Sequence, residues 1–351
     1  MESLSKLEYE QLVILPHNGN MEASVEKLGI QSQIIHFYSW VRPTHVKLTF
    51  SNLFKRNARN LIAVMQLIIL FIKFKPNVIF SNTSTVNVGA IANLFYRAKH
   101  LWYIHEMGEE DFNFKLPWGR FSYKFINWTS NYVLTNSNQL KRKYKLRYDK
   151  MNLIVLRNIV NIKNVEQVVA YEENSTFRLL LLGQITESKG HLIAMEAMSI
   201  LKSMGYSVSL SVVGSANDAA FYATMKSSIH DLNIKDVVTI FQYSENVSGL
   251  IASHHALLMC SKCEAFGRVT IEAMKIGIPV IGSNTCGTVE LIEHERSGLL
   301  YEQGNPSGLA NEVIKLIKYP ELKERIIKEA KNHAEDLVSE KHILNFFENE
   351  L

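Results

Sequence analysis

Short runs of Val, Ile and Leu recur along this chain, and between them apolar residues return every three or four positions. The runs are short and end in Gly, Asn, Ser or Pro, so they read as strands buried on both faces. The longer periodic stretches read as crossover helices. That alternation predicts βα units and parallel sheets. In the first half strands are expected at 11–15, 33–37, 78–81, 101–104, 132–135 and 153–156. In the second half they are expected at 178–182, 207–213, 237–241, 256–259, 279–282 and 298–301. The fold class is therefore α/β, with two Rossmann-like sheets in series. The polar stretch 161–176 reads as a linker and divides the chain into domains 1–168 and 169–351. A helical tail after Pro320 carries Ile343, Leu344, Phe346 and Phe347 as apolar contacts, enough to pack back on the first domain.

One segment departs from this pattern. Leu61 to Ile72 is apolar except for Gln66 and falls short of the ~18–20 residues that cross a bilayer, which predicts a buried helix. The flanking Lys55, Arg56, Arg59, Lys73 and Lys75 leave a helix lying on a membrane as the alternative.

Composition supports two cores and adds an asymmetry. At 351 residues and 47% apolar content the chain has material for two domains. Residues 1–170 carry 22 Lys and Arg against 11 Asp and Glu, while the remainder carries 16 against 23. A basic first half suits an anionic partner, nucleic acid or a membrane surface. The amino terminus has no apolar core of a secretion signal, so the cytoplasm is expected. Three cysteines, Cys260, Cys263 and Cys286, imply no disulfide framework and a reducing compartment. The Cys260-x2-Cys263 spacing reads as buried thiols and His254-His255 as a helix cap, so no metal is expected.

The chemistry concentrates at strand ends, where open parallel sheets bind ligands. After the strand at 178–182 come Gly183 and Gln184, then Lys189-Gly190 at a helix start, a place for an anion. After the strand at 256–259 the chain reads Ser261-Lys262-Cys263-Glu264-Ala265-Phe266-Gly267-Arg268, with Glu272 two turns into the helix that Gly267 opens. Carboxylates bind anions poorly but accept from sugar hydroxyls, so two of them beside a phosphate site fit a nucleotide sugar. Two surface glutamates would give the same spacing. No Gly-x-Gly-x-x-Gly follows a strand, which argues against a nicotinamide dehydrogenase.

From about residue 11 to 330, and most specifically from Leu179 to Gly304, the sequence resembles glycosyltransferase family 4, retaining enzymes of the GT-B fold. Its Glu-x7-Glu motif matches Glu264 to Glu272, and Pro279-Val280, Gly287-Thr288-Val289-Glu290 and Gly298-Leu299-Leu300 follow at the family's spacing. Pro16 with Gly19, Asn82-Thr83-Ser84, His105-Glu106 and Asn136-Ser137 match more loosely. The resemblance implies two Rossmann-like domains facing a cleft, the first on the acceptor side and the second binding the donor. It implies that Lys189 contacts the donor diphosphate, Glu272 the ribose, Glu264 the sugar, and His105 the sugar from across the cleft. Gly183, Gln184, Glu290 and the backbone of Phe266, Gly267 and Arg268 complete the donor site. The reaction implied is retaining transfer from a UDP- or GDP-sugar to a saccharide or lipid-linked acceptor in cell-surface polysaccharide assembly, without cofactor or essential metal. In that setting the basic run Lys141 to Arg147 reads as a surface for anionic lipid or a lipid-diphosphate acceptor rather than nucleic acid, with a simple solvated helix as the alternative.

Three departures from the family pattern stand out. Gln184 occupies a position where Arg is common, and Arg268 could restore the charge. Cys286 replaces one of a glycine pair. The family's opening strand, glycine loop and helix are missing before residue 11, where Met1 to Leu7 reads as the end of that helix. Loss of a central strand would leave ladder groups unpaired. A non-catalytic partner subunit or a truncated inactive form is therefore the alternative function.

Overall fold

The computed structural model describes residues 7, 9–43, 49–149, 151–162, 165 and 167–350, with only the backbone of Arg42 and Pro43. The chain forms two compact units, residues 1–157 with 339–351, and residues 158–338. The division comes at Arg157 rather than at 168 because Val160, Ile162 and Val165 already pack in the second unit's core.

The first unit contains β1 (Leu12–Leu15), β2 (Gln31–Ile34), β3 (Arg42–Pro43), β4 (Val78–Asn82), β5 (Lys99–Ile104), β6 (Phe114–Lys115), β7 (Tyr132–Thr135) and β8 (Leu153–Val155). The order β4-β5-β7-β8 makes one parallel sheet, β1-β2 a separate parallel pair, and β3-β6 a short antiparallel ladder. Among the described residues β1 pairs only with β2 and β4 only with β5, so the parallel strands form two sheets instead of one. Helix Phe50–Phe74 joins their cores: its Ala63, Val64, Leu67 and Phe71 pack with Ile14, Ile35 and Ile79. The expected helix end at 1–7 lies, apart from Leu7, outside the described residues. The terminal helix Glu340–Glu350 belongs to this unit, with Phe346 and Phe347 packed on Leu101, Tyr103 and Leu134.

The second unit contains β9 (Phe177–Leu182), β10 (Val208–Val213), β11 (Val238–Phe241), β12 (Ala256–Met259), β13 (Val280–Ser283) and β14 (Leu299–Tyr301). All are parallel, in the order β11-β10-β9-β12-β13-β14. The order reverses between β9 and β12, the switch point at which such sheets open toward a ligand. Separate apolar clusters cover the two faces, which is why every residue of β12 is buried and its sequence is uniformly apolar.

The helix expected from Leu61 to Ile72 is part of the longer Phe50–Phe74, and it is not buried throughout. One face enters the core, while Leu61, Ile62, Met65, Ile69 and Ile72 are exposed. An uninterrupted apolar run does not reveal which of its faces finds a partner.

Candidate functional site

The carboxyl ends of β9, β12 and β13 converge on one cluster. After β9 the chain makes a single 3-10 turn, Glu187–Lys189, and enters helix His191–Ser203 through Gly190. Gly190 has φ +70°, and a Cβ there would lie 2.0 Å from the carbonyl oxygen of Cys260. Only glycine lets this turn press against the end of β12. Lys262 N–H donates to the Ser188 carbonyl at 2.8 Å, and its ammonium meets Glu187 at 2.6 Å.

That contact brings the two sequence-predicted loops together. The Lys189 ammonium forms an ion pair with Glu264, and Ser261 Oγ donates to the same carboxylate oxygen at 2.6 Å. The side chains are 27% and 12% exposed, so the pair is reachable yet held. Ser283 Oγ donates to the Ser261 carbonyl at 2.7 Å, tying β13 to this loop. Gly287 N–H donates to the Glu264 carbonyl at 2.9 Å, and a Cβ at Gly287 would crowd that oxygen at 2.6 Å. Ser261 and Ser283 were not singled out in the sequence; hydroxyls at the carboxyl ends of adjacent strands were the available signal.

Helix Arg268–Ile276 starts at Gly267, so its first-turn N–H groups have no acceptors within the helix. Phe266 is buried in the core, which leaves its backbone rather than its ring for ligand contact. Glu272 is largely buried, and desolvation raises its carboxyl pKa against the lowering effect of Arg268. Arg268 Nη2 lies 3.7 Å from Glu272, so its charge is directed at that carboxylate. Gln184 sits partly exposed in the loop after Gly183, and Glu290 lies in the short helix Thr288–Leu291 that follows β13.

The cysteines require a correction. Cys263 and Cys286 are joined in a disulfide with their Cα atoms 5.2 Å apart, and only Cys260 remains a thiol. Each bonded cysteine lies a few residues beyond the end of one of two neighbouring strands, β12 and β13, and the strand pairing brings them together. Burial pushes the Cys260 thiol up to about 12, so it is inert. His254 Nδ1 donates to the Leu250 carbonyl at 2.7 Å and its Nε2 lies 2.9 Å from Ser211 Oγ, while His255 Nδ1 accepts from Arg178 N–H; both are structural.

His105 belongs to the first unit, at the end of β5. Its Nε2 is 2.6 Å from Asn82 Oδ1, and its ring lies 4.1 Å from that of Tyr103. The neighbouring Glu106 carboxylate accepts from Thr83 Oγ1, from Ser84 N–H at 3.0 Å and from Ser84 Oγ at 2.8 Å. It thereby locks the loops after β4 and β5 around His105. In the basic run, helix Asn138–Arg147 buries Leu140 and Tyr144, and Lys143 is engaged by Glu110 and the Met107 carbonyl.

The profile of the glycosyl transferases group 1 family matches residues 141–333, more than half of the chain, and the chain belongs to that family. It is 27% identical over 226 residues to N-acetyl-alpha-D-glucosaminyl L-malate synthase of Bacillus anthracis, covering 64% of this chain and 51% of that protein. Against the capsular polysaccharide biosynthesis glycosyltransferase CapM of Staphylococcus aureus, identity is 27% over 171 residues, covering 47% of this chain and 43% of that protein. The chain thus matches about half the length of these relatives. In structure it resembles Anabaena HepE in complex with UDP and glucose, with TM-score 0.78 and 18% identity over 100% of this chain and 95% of that one. The fold is GT-B, as the sequence resemblance implies.

Proposed function

We propose that this protein is a retaining glycosyltransferase that moves a sugar from a UDP- or GDP-linked donor to a saccharide or lipid-linked acceptor in cell-surface polysaccharide assembly. It works in the cytoplasm, peripherally at the inner face of the membrane. The observation that carries this reading is the Lys189–Glu264 pair at the switch point, beside the open first turn of helix Arg268–Ile276.

In this reading Lys189 and the free N–H groups after Gly267 face the diphosphate, where negative charge grows as the sugar leaves. Groups already fixed before the reaction stabilise that charge without reorganising. Ser261 and the ion pair hold Glu264 toward the sugar, and Glu272 accepts from ribose hydroxyls. Gly183, Gln184 and Glu290 border the donor, and His105 acts on the sugar. No cofactor or metal takes part, so transfer persists in EDTA. Family membership and the UDP carried by HepE support the donor class.

The test is a thermal-shift screen of UDP- and GDP-sugars, followed by transfer assays of Lys189→Ala and Glu264→Ala with the donor that stabilises the protein. Each variant is expected to lose about a hundredfold or more in rate with its fold intact. Near-normal turnover by both would remove the catalytic assignment. Gln184, in place of the family's usual arginine, favours a second reading, a subunit that keeps the fold but binds donor weakly. No shift with any donor would favour it.

A further inference from the structure

We infer that helix Phe50–Phe74 is a membrane-docking element that lies flat on an anionic lipid surface. This gives a surface to the membrane placement proposed above, but it rests on the helix alone. Its failure would leave the transfer reading standing.

The helix has two apolar faces. Ala63, Val64, Leu67 and Phe71 turn into the core, and on the opposite side Phe54, Leu61, Met65 and Ile72 form a single exposed stripe, at 68%, 63%, 58% and 60% exposure. Their spacing of seven, four and seven residues keeps them on one face of an α-helix. Phe50, Ile62 and Ile69 widen the stripe and are also exposed. A soluble surface scatters such residues singly; here they run along a helix of about 37 Å.

Charge identifies what covers them. Residues 50–75 contain no Asp or Glu and five Lys or Arg. Helical spacing sets Lys55, Arg59 and Lys73 along the margin of the stripe beside Ile62 and Ile69, and Lys75 caps the carboxyl end. Arg56 is engaged elsewhere, donating to the Ser39 carbonyl at 2.6 Å. An apolar stripe bordered by cations suits the boundary between acyl chains and anionic headgroups. The helix is long and apolar enough to cross a bilayer, but its packed face already belongs to the core of the first unit. Lying on the surface satisfies both faces; spanning would expose the core.

The test is cosedimentation of the full chain with vesicles of phosphatidylcholine alone or with about 30 mol% phosphatidylglycerol. Binding is expected to the anionic vesicles and to weaken in high salt. The double variant Phe54→Glu with Met65→Glu should reduce it about tenfold or more, and the triple variant Lys55→Gln, Arg59→Gln, Lys73→Gln several-fold. Both should keep the wild-type melting temperature, because the altered side chains are exposed. Equal binding to neutral vesicles, or unchanged binding by the double variant, would overturn the inference. So would a dimer in solution that the double variant converts to monomer without loss of vesicle binding, since a second copy would then be the partner of the stripe.

Discussion

The two units are built from the same βα material but close their sheets differently. In residues 158–338 six parallel strands form one ladder, and β9 is hydrogen-bonded on both sides. In the other unit the parallel strands divide into a pair and a quartet, with helix Phe50–Phe74 packed against both. A continuous sheet gives its strand ends fixed spacing, and the second unit sets Lys189, Ser261, Glu264 and Gly287 on three adjacent strand ends. Among the described residues the divided sheet has more free edge, and it packs against a helix whose outer face is apolar. Fixed strand spacing thus lies where the donor chemistry is proposed, and an exposed apolar face where docking is proposed.

The largest effect expected from this contrast is in the cores. Leu180 in β9 is 1% exposed, whereas Ile14 in β1 is only partly buried. Leu180→Ala should cost about 2–5 kcal/mol and Ile14→Ala less than about 2 kcal/mol, because a partly exposed site leaves a smaller cavity. The units can be followed separately in urea. All four tryptophans, Trp40, Trp102, Trp118 and Trp128, lie in the first unit, so their fluorescence reports it, whereas circular dichroism reports both. Equal losses would break the contrast.

The sequence made this architecture legible to different depths. Strands occur at or beside all twelve expected positions, most plainly where both faces are buried, as in β12, since such strands cannot hide their apolar runs. The strand expected at 33–37 instead occupies Gln31–Ile34: Gln31 and Gln33 are exposed on a two-stranded pair, where polarity is tolerated. The ladder of β3 and β6, two residues long on each side, has no periodicity to detect. At the candidate site, the strand-end positions of Lys189, Glu264 and Glu272 stand out in the sequence, but spacing alone fits surface residues as well, and their roles are implied by the family resemblance; the structure brings Lys189 and Glu264 together. Ser261, Ser283 and the disulfide were not legible, since each depends on which strands are neighbours. The exposed face of Phe50–Phe74 was hidden for the opposite reason: apolar residues occur on both of its faces, and pattern alone does not distinguish a core contact from a docking surface.

A second, smaller effect should appear on reduction. The Cys263–Cys286 bond clasps the loop that carries Glu264 to the loop that follows β13, entirely within the second unit. Dithiothreitol should destabilise that unit by about 3 kcal/mol, seen by circular dichroism, and leave the tryptophan transition in place. Cys286→Ser should reproduce the change without reductant. Alkylation of three thiols in the untreated, unfolded protein would show that the clasp is not formed.

The smallest effect is in the response to mild acid, where the units should differ in slope. In the second unit, burial lowers His191 and His255 from 6.5 to about 4 and also lowers His254. The unfolded chain binds these protons first, so their contribution to stability is present above about pH 6.5 and declines as pH falls toward 4. Among the described residues of this unit, Glu272 is the one carboxyl raised by burial, and it opposes three histidines. In the first unit, burial likewise lowers His100 to about 4, but desolvation raises Asp111 to about 6 from 3.8. The folded state takes up that proton before the unfolded chain does, so Asp111 gains stability over the same interval in which His100 loses it. From pH 7 to pH 6, each of the deeply buried His100 and His191 contributes a loss of roughly half a kcal/mol. The first unit should therefore be nearly flat while the second declines, measured as urea midpoints by fluorescence and by circular dichroism between pH 7 and pH 5. Asp111→Asn should steepen the fluorescence response alone; parallel slopes in wild type and variant would show that the buried aspartate does not offset the histidine.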